Sequence, residues 1–189
     1  KNKFGVNNKK ALMCRFHTQT AGSTLQAQQI DNNIIRTTMQ ATAAILGGTQ
    51  SLHTNSKDEA ISLPSENAAK LALRTQQILA YETGIPDVVD PLAGSYYVES
   101  LTDEIEHNTF KILDEIEQLG GAIQAIENDF QNTEIANSAY EYQQEVEKNE
   151  KIIVGLNKFE EKNEDKNNSL IIDEKAVKNQ LERLKNFKN

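Results

Sequence analysis

The feature that most constrains this chain is the alternation in its first half of short strand-like runs with loops and helix-spaced segments. Ala11 to Thr18, reading ALMCRFHT, is an apolar run that turns polar at its end, the pattern of a buried strand whose C-terminal tip reaches a site. Thr49 to Thr54, TQSLHT, is a second strand candidate. Between them the chain turns helical from Asp31, with Ile34, Ile35, Thr38, Met39, Thr42 and Ile45 spaced for one face and Gly47-Gly48 as the stop. Strand, loop, helix, repeated, predicts an α/β fold with a parallel, helix-covered sheet, either an open doubly wound sheet or a (β/α)8 barrel. In both, chemistry gathers at the C-terminal ends of the strands, where His17, Gln19, His53 and Asn55 fall.

Asn55 to Ile61 reads as a short helical turn closed by Leu63-Pro64. Ser65 can cap a longer helix through Glu82, with Ala68, Leu71, Ala72, Thr75, Ile78 and Leu79 inward and Gly84 as its stop. The stretch VVDPLAGSYYVESL holds Pro91 and Gly94 and is expected to be turn-rich. Helical spacing then marks Leu101 to Leu119, Ala122 to Asp129 and Thr133 to Lys148, and Ile152 to Val154 reads as a short extended piece. EEKNEDKNN, after Phe159, is a solvated linker by composition, and an amphipathic segment from Ile171 to Leu184 is expected to dock on a partner surface. The organisation expected is therefore residues 1–100 as one region of strands and helices, 101–159 as a helical region, and 160–189 as linker and terminal helix.

At 189 residues and 38% apolar the chain can bury a core. A net charge of −8, with no basic run, excludes a phosphate-tracking nucleic-acid binder. No run approaches the ~20 apolar residues that span a bilayer. The single cysteine, Cys14, lies in an apolar run and is expected to be a buried thiol in a reducing compartment, the cytoplasm or an organelle matrix. The chain starts without methionine in the middle of a polar segment, so a missing N-terminal portion is expected.

Two constellations could carry chemistry. In RFHTQTAG, Arg15, His17 and Gln19 alternate and project from one side of an extended strand, either toward a ligand or merely toward loop carbonyls. Gly22 could let a backbone approach a flat ligand, or simply permit a turn with positive φ. In SLHTNSKDEA, Asn55 and Glu59 are four apart and on a helical turn could together hold two neighbouring hydroxyls, such as those of a ribose. A capping box of Ser56 with Glu59 competes with that reading. His53 with Asp58 hints at acid-base work, but no serine or cysteine is placed to complete a triad, so no catalytic nucleophile is expected. His17, His53 and His107 form no recognisable metal set. Tyr96-Tyr97 could pack on a cofactor, though an aromatic pair after Gly94 is more often part of a core.

The stretches RFHTQTAGSTLQAQQ, NNIIRTTMQATAAILGGTQSLHTNSKDEA, ALRTQQILAYETGIPDVVDPLAGSYYVE and IIVGLNKF, in that order from Met13 to Phe159, closely resemble the methylmalonyl-CoA mutase family of acyl-CoA mutases. The resemblance implies the C-terminal part of a (β/α)8 TIM barrel with its last strands at Ala11 to Thr18 and Thr49 to Thr54, followed by a helical segment leading toward a separate cobalamin-binding domain or subunit. It implies adenosylcobalamin as cofactor and an acyl-CoA substrate, most simply methylmalonyl-CoA and succinyl-CoA, interconverted by a radical carbon-skeleton rearrangement in a hetero- or homodimer. By position, Asn55 and Glu59 match residues that bond the adenosyl ribose. His17 and Gln19 match residues facing the corrin, and Gly22, Ala60 and Ser62 lie in segments that contact it. Ser23 stands where methylmalonyl-CoA mutases commonly have tryptophan and the related isobutyryl- and ethylmalonyl-type mutases have small residues, while Gln50 resembles the methylmalonyl group more than the isobutyryl one. The family's substrate-clamping residues and its cobalt-ligating DxHxxG motif do not occur in this sequence, so the chain by itself is expected to be inactive. The alternative expectation is a noncatalytic barrel remnant that pairs with a fuller mutase chain.

Overall fold

A computed structural model describes residues 5–161 and 173–188, which fall into two compact units, residues 5–86 with 173–188 and residues 87–161. In the first unit, β1 (His17–Gln19) and β2 (Ser51–His53) pair in parallel, with His17 opposite Ser51 and Gln19 opposite His53. Joining them is α1 (Asn32–Leu46), and α2 (Glu66–Glu82) follows β2 and packs on α1. This is the expected strand-helix-strand-helix order with a parallel sheet; the described sheet has two strands.

Three expectations are corrected here. The run from Ala11 is not strand until His17: Lys9–Leu12 forms a 3₁₀ turn, and Leu12, Met13 and Phe16 are 43%, 56% and 44% exposed. Cys14, expected buried, is exposed. A strand interior is buried only when both its faces and edges are covered, and β1 is paired on one edge alone among the described residues. The face of α1 also differs: the helix buries Asn33, Thr37 and Ala41, while Ile35 and Met39 are each 65% exposed. Small and polar side chains at i, i+4 and i+8 let α1 lie close on loops whose polar backbone needs partners.

α2 follows the expectation closely. The Ser65 hydroxyl accepts from the Ala68 N–H at 3.3 Å, satisfying one of the open donors of the first turn. Ala68, Ala72, Thr75 and Leu79 are buried, and Gly84 takes φ +69° just past Thr83. Leu71 and Ile78, expected inward, are 37% and 49% exposed.

The second unit is helical. α3 (Tyr96–Gln118) begins earlier than the expected Leu101, because Ser95 stands at the N-cap and the Glu99 carboxylate accepts from the Gly94 N–H at 3.1 Å, organising the chain before the first turn. Tyr96 and Tyr97 are therefore first-turn residues, 95% and 76% exposed, and not a core pair. After Gly120-Gly121, both at positive φ, come α4 (Ala122–Glu127) and α5 (Phe130–Glu147). Beyond α5 the short extended piece exists as an isolated bridge between Val154 and Lys158. It is held by Asn157, whose amide donates to the Val146 and Lys151 carbonyls and whose oxygen accepts from the Ile153 N–H.

Most of the charged linker lies outside the described residues. α6 (Glu174–Lys188) carries Val177, Leu181 and Leu184 along one stripe, all exposed. Among the described residues no helix is long and apolar enough to cross a membrane.

Candidate functional site

The site forms at the C-terminal tips of β1 and β2, where two loops leave the sheet side by side. The parallel ladder continues one step beyond the strands, with the Thr20 N–H donating to the His53 carbonyl at 3.0 Å. Then the loops lock: the Asn55 N–H donates to the Thr20 hydroxyl at 2.9 Å, and both residues are buried. These bonds spend the loop backbones on each other, which a buried polar chain requires. They also fix where the side chains of Gln19 and Asn55 meet.

Gln19 donates through Nε2 to Asn55 Oδ1 at 3.0 Å. With Oδ1 engaged, the Asn55 amide presents its Nδ2 donors, for which no protein partner occurs among the described residues; the same holds for the Glu59 carboxylate. Gly22 brings the first loop directly onto this pair. A Cβ at Gly22 would stand 2.8 Å from Asn55 Nδ2, 3.2 Å from Glu59 Oε1 and 3.5 Å from Glu59 Cγ. Gly22 is not at positive φ, so of the two readings of this glycine the structure favours close approach over a left-handed turn.

The segment after Asn55 is an irregular turn and not a helix. The Ile61 and Ser62 N–H groups both donate to the Asp58 carbonyl, at 2.9 and 3.0 Å. The expected Ser56–Glu59 capping box does not form: the Ser56 hydroxyl donates to Asp58 Oδ1 at 2.7 Å, leaving the Glu59 side chain beside Gly22. Asp58 also accepts from the Ser65 N–H at 2.9 Å, closing the turn onto the start of α2. Partial burial pushes its pKa up, and the Ser65 N–H together with the Ser56 and Ser65 hydroxyls outweighs it, so the carboxyl sits below its ordinary range. Asp58 is thus a structural acceptor, with no bond to His53.

The remaining candidates are more dispersed. His17 is exposed on β1 with Nδ1 2.7 Å from the Ser51 hydroxyl. Ala60 is exposed and Ser62 half-buried on the turn, the Ser62 hydroxyl donating to the Leu63 carbonyl. A cleft of about 190 Å³ opens between the tip of β2 and α2, lined by His53, Thr54, Glu59, Pro64, Leu73 and Gln76 among others. Thr54 anchors its floor, donating to the Ala72 carbonyl at 2.7 Å and accepting from Gln76 Nε2 at 3.0 Å. Gln76 and Thr54 were not foreseen, because the bond joining them spans 22 residues and has no local signature.

Chemically, the cluster offers one amide donor and one carboxylate acceptor side by side, with no nucleophile between them. Such a pair suits a cis-diol, whose two hydroxyls can accept from the amide and donate to the carboxylate. The donor set therefore fits the ribose of a nucleoside group.

Comparison with known proteins bears on the same segments. The family model for methylmalonyl-CoA mutase matches residues 1–189. The chain is 50% identical over 165 residues to a 2-hydroxyisobutanoyl-CoA mutase large subunit from Aquincola tertiaricarbonis, covering 87% of this chain and 29% of that protein. It is 47% identical over 175 residues to the methylmalonyl-CoA mutase of Rhizobium meliloti (strain 1021), covering 93% and 25%. To the mitochondrial methylmalonyl-CoA mutase of Homo sapiens it is 42% identical over 187 residues, covering 98% and 25%. The chain thus spans about a quarter of the length of the curated relatives it matches.

Proposed function

Because the chain belongs to the methylmalonyl-CoA mutase family, we propose that it is the C-terminal part of the catalytic barrel of an adenosylcobalamin-dependent acyl-CoA mutase, and that its β1–β2 loops form the subsite for the adenosyl ribose. The observation that carries this reading is the convergence of Gly22, Asn55 and Glu59. When bound, the cofactor supplies the radical that drives migration of a group between adjacent carbons of the acyl-CoA.

The chain's own residues bind and orient. Asn55 Nδ2 donates to one ribose hydroxyl, the Glu59 carboxylate accepts from its neighbour, and Gln19 holds the Asn55 amide in the orientation that leaves Nδ2 free. Gly22 keeps the first loop low enough for the pair to stand together. His17, Ala60 and Ser62 belong to the surface turned toward the corrin. None of these residues transfers a proton; the subsite works by fixing geometry.

Within this reading the acyl substrate is methylmalonyl-CoA. A second substrate, 2-hydroxyisobutanoyl-CoA, is favoured by two observations: the relative bearing that name is 50% identical, and the small Ser23 stands where tryptophan is common in methylmalonyl-CoA mutases. Assaying the full-length enzyme with its partners on each thioester decides between them.

The subsite is tested with Asn55→Ala and Glu59→Gln in that full-length enzyme. Each should weaken adenosylcobalamin binding about tenfold while leaving hydroxocobalamin, which lacks the adenosyl group, within about twofold. Equal effects on both cobalamins would refute it. The 189-residue chain alone should show no isomerisation of methylmalonyl-CoA, and turnover by the isolated chain would refute its being one part of a larger catalytic unit.

A further inference from the structure

Gly22 stands so close to the Asn55–Glu59 pair that an added carbon would force the Asn55 amide to shift, so the contact depends on how far apart the two loops are held. The strand ladder fixes where the loops start but not how far apart they stand several residues later. An exposed ion pair, Lys57 with Asp31, links them at the rim, where solvent screens it. The stronger tie lies beneath.

Asn33, in the first turn of α1, is completely buried. Its Nδ2 donates to the Gln26 carbonyl at 2.7 Å and to the Lys57 carbonyl at 2.9 Å. Its Oδ1 accepts from the Gln26 N–H at 3.0 Å and from Arg36 Nη1 at 2.7 Å. Both donors and both acceptor sites of the amide are thereby used. Gln26 belongs to the loop that carries Gly22, and Lys57 stands between Asn55 and Glu59 in the other. One side chain thus grips the backbones of both loops from a rigid helix.

We propose that Asn33 is the positioning residue of the nucleoside subsite, setting the distance between Gly22 and the Asn55–Glu59 pair without touching the cofactor. This rests on the ribose reading above. No other residue type of this size can do the same: aspartate keeps the two acceptor positions but offers no donor to the Gln26 and Lys57 carbonyls, and leucine offers neither.

The test is Asn33→Asp in the full-length mutase with its partners, chosen because Arg36 is already in place to pair with the new carboxylate. The apoenzyme is titrated by visible absorbance with adenosylcobalamin and, separately, with hydroxocobalamin. Expected is a rise of about tenfold in the Kd for adenosylcobalamin and a clearly smaller rise for hydroxocobalamin, since the loosened loops misplace the nucleoside contacts of Asn55 and Glu59 on top of any corrin contact of Ala60 and Ser62 on the same turn. An unchanged ratio of the two affinities, whether both hold or both weaken together, overturns the proposal. Asn55→Ala run alongside separates the two ideas: if it shifts the ratio and Asn33→Asp does not, only the positioning role falls, whereas an unshifted ratio with Asn55→Ala removes the subsite reading and this inference with it. If Asn33→Asp does not fold, Asn33→Ser, which keeps one donor, is read by the same ratio. Failure of both to fold makes Asn33 a residue of folding and overturns the proposal too.

Discussion

Gly22→Ala isolates close approach from every other property of the site. The added Cβ would stand 2.8 Å from Asn55 Nδ2, and ordinary contact begins at 3.4 Å, so the amide must retreat by the difference, about 0.6 Å. Glu59 Oε1, at 3.2 Å, needs about 0.2 Å by the same arithmetic. Both obstacles are side-chain atoms, and the backbone of Gly22 is not left-handed, so folding should tolerate alanine. Overpacking at the low end costs about 1 kcal/mol, and loss of glycine's freedom in the unfolded chain returns about 0.4–1 kcal/mol, leaving stability nearly unchanged. Function should not be spared. Turning or shifting the Asn55 amide to make that room also displaces Oδ1 from its 3.0 Å bond with Gln19, and a displacement of 0.6 Å directly away from Gln19 would lengthen it to about 3.6 Å, beyond hydrogen-bonding range. With that bond goes the orientation of Nδ2, so about 1.4 kcal/mol, or tenfold, of adenosylcobalamin affinity should be lost. Absorbance titration of the full-length enzyme, with thermal unfolding of the same preparation, reads both quantities. A Kd within twofold of wild type would refute the reasoning, and so would a loss of affinity matched by a fall of many degrees in Tm, because the collision would then be absorbed by the fold.

The other perturbations address the frame around the site. Asp58 has a depressed pKa, so its carboxylate contributes stability that is fully present above the ordinary carboxylate value near ~3.9 and is lost as pH falls through the lower folded value. Against Asp58→Asn, wild type should be more stable by about 1 kcal/mol at pH 7, toward the low end because the group is partly exposed, and the gap should close on acidification; a gap independent of pH from 7 to 3 would contradict the assignment. Thr54→Val keeps the shape of the cleft floor but deletes the bonds to the Ala72 carbonyl and Gln76, so it should cost about 1–2 kcal/mol in chemical denaturation. Its ratio of adenosylcobalamin to hydroxocobalamin affinity should stay at the wild-type value, and a changed ratio would place Thr54 in the subsite.

What could be read from the sequence followed locality. The β2 strand, the Ser65 cap and the end of α2 at Gly84 are signalled within one turn of where they occur. Asn55 and Glu59 come together as their spacing suggested, although the segment is an irregular turn and not helical. Several of the misses around the site are non-local. Asp58 reaches Ser65 across seven residues in place of a capping box over three, and Thr54 reaches Gln76 across 22. Asn33 is the sharpest case. Hydropathy patterning assigns asparagine to the outside of a helix, yet here it is the most deeply buried large side chain of α1 because the loops beneath it present carbonyls and not methyl groups.

The exposed apolar residues of the first unit carry the same logic one step further. Ile35 and Met39, two of the residues whose spacing marks the apolar face of α1, are each 65% exposed, and Leu12, Met13 and Phe16 lie open just before β1. Fully burying such side chains stabilises by about 1.5–3 kcal/mol each. A sequence keeps strand-like and helix-like apolar spacing at solvent-facing positions when more protein covers them, and the relatives supply about three times as much chain again. The apolar spacing read from the sequence and the exposure seen in the structure are therefore compatible: the pattern reports the surface of the larger barrel proposed for this chain, while the exposure reports these residues alone. On this account the two-stranded sheet should gain its main stability from surfaces outside it, whereas the bonds among Gln19, Thr20, Asn33 and Asn55 already hold the loop geometry locally.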